Sequence, residues 1–131
     1  MASIFTRIIK GEIPCYKIAE DEHFIAFLDI NPLAKGHTLV VPKEETDYLF
    51  DLSDESMAGI SVFAKKVALA IGKTMPCKRV GIAVLGLEVP HAHVHLIPIN
   101  DLGDINFARP KLKLTPQEFT AIAEKISKAM V

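Results

Sequence analysis

Three of the five histidines occupy alternate positions of one short segment, His91-Ala92-His93-Val94-His95-Leu96-Ile97. Along an extended chain successive side chains point to opposite faces. The three imidazoles therefore share one face, while Ala92, Val94 and Leu96 turn toward an apolar layer. Neutral imidazole carries a lone pair near physiological pH and can act as a nucleophile, an acid or a base. A rigid strand with a buried back face holds such groups in fixed orientation.

A metal site is one use for clustered histidines. Same-face neighbours on a strand stand about 6.6 Å apart, which separates His91 from His95 by about 13 Å, whereas a Zn–N bond is about 2.1 Å. Two adjacent histidines could share an ion, but a full site would need a further ligand from elsewhere, such as His37, and no metal is expected. An incidental surface cluster would not need so regular an alternation with apolar residues. What remains is covalent and acid/base chemistry by imidazole. Attack on phosphorus is the natural case, because a phosphoimidazole hands its group readily to water.

The rest of the chain supplies the scaffold. Ser3 is placed to cap a short helix with Ile4, Phe5, Ile8 and Ile9, stopped by Gly11. Cys15 to Ala19 and Glu22 to Asp29 read as a hairpin turning at Glu20-Asp21. After a loop from Asn31-Pro32 to Gly36, His37 to Pro42 is a β-branched strand. A long helix begins near Ser53, with Met57, Ile60, Ala64, Val67, Ala68 and Ile71 on one face and Gly72 as its expected end. Arg79 to Leu85 and His91 to Ile99 are two further strands. Thr115-Pro116-Gln117-Glu118 combines an N-cap, a first-turn proline and the acid of a capping box. It opens a helix striped by Phe119, Ile122, Ala123, Ile126 and Met130. About five strands and two main helices make an α+β fold with an antiparallel sheet, read as a single domain over 1–131.

Composition narrows the partners. The 131 residues carry 15 Lys plus Arg against 16 Asp plus Glu, a net charge of −1. That balance argues against nucleic-acid polymers and anionic membranes as the main partner. The longest apolar stretches, such as Val80 to Leu87, fall well short of the roughly 18 residues of a membrane span. No secretion signal is read at the N-terminus. Cys15 and Cys77 form no CxxC pair and read as thiols in a reducing, cytoplasmic setting. Half the residues are apolar without a single Trp, an excess suited to a core plus a second buried surface such as a subunit interface.

The segment 91–97 resembles the H-φ-H-φ-H-φ-φ signature of the histidine-triad family. Further likeness lies in Ile4 to Pro14, in Glu20-Asp21 with Ala26 to Pro32, and in Gly36 to Lys43, so that family order is kept from residue 4 to 99; the tail 100–131 lies outside it. The resemblance implies a homodimeric purine nucleotidyl hydrolase that needs no cofactor and cleaves at the α-phosphorus of an AMP-like phosphoramidate. Dinucleoside polyphosphate hydrolysis, or nucleotide binding with weak catalysis, are the alternatives. It further implies His93 as nucleophile, His95 on the phosphate and leaving group, and His91 and His37 in support. Asp29 would hold the ribose. Phe5, Ile8, Ile13, Phe27 and Ile30 would wall the base pocket, with Glu88 and Val89 at its edge.

One stretch departs from the pattern. Many members carry an Asn-containing loop and then G-Q-[ST]-φ before the first histidine, where this chain has Gly86-Leu87-Glu88-Val89. Leu87 cannot donate a hydrogen bond, and a carboxylate about 4 Å from a phosphate costs roughly 1 to 4 kcal/mol. An amine-bearing leaving group suits Glu88 better than polyphosphate does. Bacterial relatives that bind zinc through an early CxxC have no counterpart here, since Ala2, Ser3, Phe5 and Thr6 stand in those places. His23 is read as an exposed hairpin residue, and Arg109, Lys111 and Lys113 as a solvated basic stretch or a lid.

Overall fold

The computed structural model describes residues 2–130. Helix α1 (Ile4–Ile9) begins where the Ser3 hydroxyl accepts the Thr6 N–H, and it ends with Gly11 at φ +78, a left-handed position that favours glycine. Strands β1 (Lys17–Glu20) and β2 (Phe24–Leu28) form the hairpin. Asp21 makes the turn by accepting the backbone N–H groups of His23 and Phe24, both at 2.8 Å. Strand β3 (Thr38–Pro42), helix α2 (Asp54–Thr74), strands β4 (Arg79–Ala83) and β5 (Val94–Ile99), and helix α3 (Pro116–Lys128) follow.

The sheet is antiparallel throughout, in the order β1-β2-β3-β5-β4. Its register makes two kinds of row. Ala26, Val40 and Val94 stand opposite one another and join the main core under α2 and α3, with Ile60, Val67, Ile71, Phe119 and Ile126. The adjacent row, Phe27–Leu39–His95–Ala83, belongs to the other face. There a second apolar cluster of Phe5, Ile25, Phe27, Leu39 and Val41 lies beside α1. The histidine face and the packing face are thus opposite sides of one sheet.

Strand ends differ from the sequence reading by one to three residues, and two boundaries have a clear cause. Helix α2 runs through Gly72 to Thr74. The cost of glycine inside a helix is about 1 kcal/mol, which tertiary packing overrides. The stop comes from Pro76, which pushes Met75 to φ −103, ψ 135. Strand β5 starts at Val94 rather than His91. Pairing with β3 ends there because Pro42 has no N–H to offer, and the Ala92 N–H is taken by the Thr46 carbonyl at 2.7 Å. The alternation survives beyond the ladder: Ala92, Val94 and Leu96 are all in the main core. Among the described residues no helix is long and apolar enough to cross a membrane.

Candidate active site

The three histidines of the motif and His37 are all buried, and every one of them has a ring nitrogen tied to the backbone or to another side chain. These ties decide which nitrogen carries the proton. Nδ1 of His93 lies 2.8 Å from the carbonyl oxygen of His91. A carbonyl only accepts, so Nδ1 is the N–H, and in the neutral ring the lone pair sits on Nε2.

His37 and His95 form a directed chain. The Leu33 N–H donates to Nδ1 of His37 at 3.0 Å, which leaves the His37 proton on Nε2. That N–H faces Nδ1 of His95 at 2.9 Å. Nδ1 of His95 therefore accepts, and the His95 proton is on Nε2. Burial lowers the His37 pKa to about 3, helped by the neighbouring His95 and Lys111. Burial and the adjacent His93 lower that of His95 to about 4. Both rings are neutral at pH 7, which the tautomer chain requires. Asp29 is 3.5 Å from Nε2 of His37, so that contact is a long polar one rather than an ion pair.

His91 is held from both sides. Its Nε2 N–H donates to the Pro42 carbonyl at 2.8 Å, and its Nδ1 receives the Ser3 hydroxyl at 2.7 Å. Behind Ser3, Glu45 accepts both the Ser3 N–H and the Thr6 hydroxyl at 2.6 Å. These donors pull the Glu45 pKa down to about 2. His91 is thereby the anchor between α1, the end of β3 and the motif. No fully buried side-chain nitrogen or oxygen lacks a partner among the described residues. The Nε2 atoms of His93 and His95, which make no hydrogen bond among the described residues, are thus the ones open to a ligand.

Some of the side chains expected to hold a base lie together beside these imidazoles. Phe5 meets Phe27 edge-on at 5.6 Å, His93 at 5.0 Å and His91 at 5.8 Å. Ile8 and Val89 pack against the same cluster, joined by Ile9 and Cys15. Ile13 is half-buried outside it, and Ile30 is 65% exposed on the loop after β2. Asp29 is half-buried, with one carboxylate oxygen accepting the Asn31 N–H at 2.8 Å. Burial raises its pKa, against the pull of that N–H, His93 and Lys111, and Glu88 adds to the rise. The exposed Glu88 carboxylate thus lies close enough to act on Asp29. Leu87 is 87% exposed and contributes no donor.

Several participants had no site signal in the sequence. Ser3 was legible as a helix cap but not as the donor to His91, 88 positions away. Glu45 and the Leu33 N–H sit in loops. Phe107 comes from the tail, and its ring lies 4.7 Å from that of His95 and 6.1 Å from that of His37. His23 is exposed at the hairpin, away from the site.

Asp29, His37 and His95 offer donor atoms that all lie within 4.8 Å of one another, the one such trio among the described residues. The two imidazole nitrogens concerned are already bonded to each other. A cation there would replace the hydrogen bond that orients His95. The trio fits the orienting role better than a resident metal.

Comparison with known proteins follows the same lines. The family model described as HIT domain matches residues 10–102. The chain is 41% identical over 129 residues to adenosine 5'-monophosphoramidase hnt1 of Schizosaccharomyces pombe, covering 97% of each. Among solved structures, a Hit-like protein involved in cell-cycle regulation from Bartonella henselae superposes with a TM-score of 0.84 at 30% identity, over 97% of this chain and 95% of that one. A Zn-bound histidine triad family protein from Mycobacterium smegmatis gives 0.83 at 29% identity, over 99% and 94%.

Proposed function

The chain belongs to the HIT domain family, and from that premise we propose that it is a purine nucleotidyl hydrolase that cleaves an AMP-like phosphoramidate at the α-phosphorus through a nucleotidyl intermediate on His93. The observation that carries this reading is the bond from His93 Nδ1 to the His91 carbonyl, which leaves Nε2 as the lone-pair nitrogen. Nε2 attacks phosphorus and the P–N bond to the leaving amine breaks. Water protonates that nitrogen, and the hydroxide so formed displaces His93 from phosphorus to give AMP and the free imidazole. Across both steps Nδ1–H stays on the His91 carbonyl, which supports the positive charge of the phosphorylated ring. His95 presents an Nε2 N–H to a phosphate oxygen or the leaving nitrogen, held in that tautomer by His37.

The similarity to an adenosine 5'-monophosphoramidase supports the phosphoramidate class. Glu88 supports it as well: its charge reaches Asp29 and would oppose a polyphosphate leaving group while favouring an amine-bearing one. Asp29 would accept from ribose hydroxyls, and Phe5, Ile8, Phe27 and Val89 would hold the base, with Ile13 and Ile30 at its rim. A homodimer suits β4, an edge strand whose Ile82 is 64% exposed and is followed by the exposed Val84 and Leu85.

The test compares an adenosine phosphoramidate with a dinucleoside polyphosphate, using wild type and His93→Ala. The reading expects preference for the phosphoramidate, and a variant that binds AMP without turnover. A strong preference for the polyphosphate would transfer the assignment to that class. AMP binding without turnover of either substrate would make the chain a nucleotide-binding module.

A further inference from the structure

Three of the four site imidazoles are held short of positive charge. Burial lowers the pKa of His37, His91 and His95, Leu87 donates nothing, and Glu88 adds a negative charge nearby. A nucleotide phosphate bound here would gain from a nearby cation. We propose that Lys111, brought to the site by the tail segment that carries Phe107, is the residue that binds the substrate's phosphate charge. The inference rests on the nucleotidyl hydrolase reading above and adds a residue outside the stretch 10–102 that the family model matches.

Three observations place the segment. The Phe107 ring packs edge-on against His95, with centroids 4.7 Å apart, and reaches His37 at 6.1 Å. The Leu112 N–H donates to the Pro32 carbonyl at 2.9 Å, which ties the segment to the loop bearing Asp29 and His37. Between these two attachments the Lys111 ammonium donates to the Phe107 carbonyl at 2.6 Å and to the Arg109 carbonyl at 3.1 Å. Two of its three N–H groups are so used, and the third remains for a ligand.

The charge of Lys111 also reaches the site. It acts on both Asp29 and His37, lowering the pKa of each, and no other lysine or arginine does. Arg7, Lys17, Lys35, Lys43 and Arg109 are each paired with a carboxylate. Lys111 pairs with none among the described residues. Its two acceptors are neutral carbonyls, so no ion pair holds its charge. The Phe107 carbonyl positions the ammonium while the Phe107 ring rests on His95.

The test is calorimetric binding of AMP and of adenosine to wild type, Lys111→Met and Lys111→Arg. Loss of one charge-assisted contact should weaken AMP about tenfold in Lys111→Met, while adenosine, which has no phosphate, stays within about twofold. Lys111→Arg should recover most of the AMP affinity, and the salt dependence of AMP binding should flatten in Lys111→Met. Equal weakening of AMP and adenosine would assign Lys111 a role in loop structure only and overturn the proposal. So would unchanged AMP affinity in Lys111→Met, with the hydrolase reading intact. Wild-type protein that binds neither ligand would overturn that reading and this inference together.

Discussion

Nδ1 of His93 and the carbonyl oxygen of His91 stand 2.8 Å apart. The motif therefore sets the tautomer of its central histidine through the backbone of its first one. The His91 side chain has another task, holding α1 and the end of β3 to the motif.

That division predicts different outcomes for the two positions. His91→Ala keeps the carbonyl but removes a fully buried ring, two hydrogen bonds and a contact with Phe5. It should lose about 2 to 4 kcal/mol of stability yet retain measurable turnover per folded molecule. His93→Ala should keep its stability within about 1.5 kcal/mol and lose turnover. Urea unfolding together with single-turnover assays on both variants checks the contrast.

Ser3 caps α1 and also donates to His91. Ser3→Ala removes both interactions and should cost about 1 to 3 kcal/mol, more than an isolated cap. Thermal unfolding would show it, and a double-mutant cycle with His91→Ala should give a coupling of about 0.5 kcal/mol or more. Strict additivity would mean that the Ser3–His91 bond contributes nothing.

Stability should also depend on pH in a stated direction. His37 and His95 have folded-state pKa values of about 3 and about 4, against an ordinary histidine value near 6.5. Between those limits the unfolded chain binds more protons than the folded one. Stability is thus full above about pH 6.5 and declines as pH falls toward 4, by up to about 1.4 kcal/mol per pH unit for each ring. Urea midpoints at pH 7.5, 6 and 5 check this, and His37→Gln should reduce the slope.

The proposed reaction gives Glu88 a part in substrate choice. Glu88→Gln removes a negative charge near Asp29 and should raise kcat/KM for a dinucleoside polyphosphate relative to a phosphoramidate by about fivefold or more, given roughly 1 kcal/mol or more of repulsion. An unchanged ratio would show that Glu88 does not meet the leaving group.

The sequence carried the parts of this site that depend on local pattern. Alternation predicted which side of the motif is apolar, and Ala92, Val94 and Leu96 are in the core. Ser3, Thr115 and Gly11 marked helix ends because capping chemistry is local. What it did not show depends on contacts distant in sequence. Nothing near Ser3 announces His91, and nothing near Phe107 announces His95, because each pair meets only once the sheet has formed. Gly72 misled because a glycine's helix penalty is smaller than the packing of Ala70 and Ile71 beside it, and Pro76 ends the helix instead. The motif's strand begins at Val94 and not at His91 because the partner strand's proline, which nothing in the motif announces, ends the ladder.

In the proposed reaction His93 takes the nucleotidyl group before water does. Each displacement at phosphorus inverts its configuration, so two in sequence retain it. Hydrolysis of an adenosine phosphoramidothioate of known configuration in oxygen-18 water reads this directly. Retention at phosphorus is the predicted result, and inversion would mean that water attacks without a His93 intermediate.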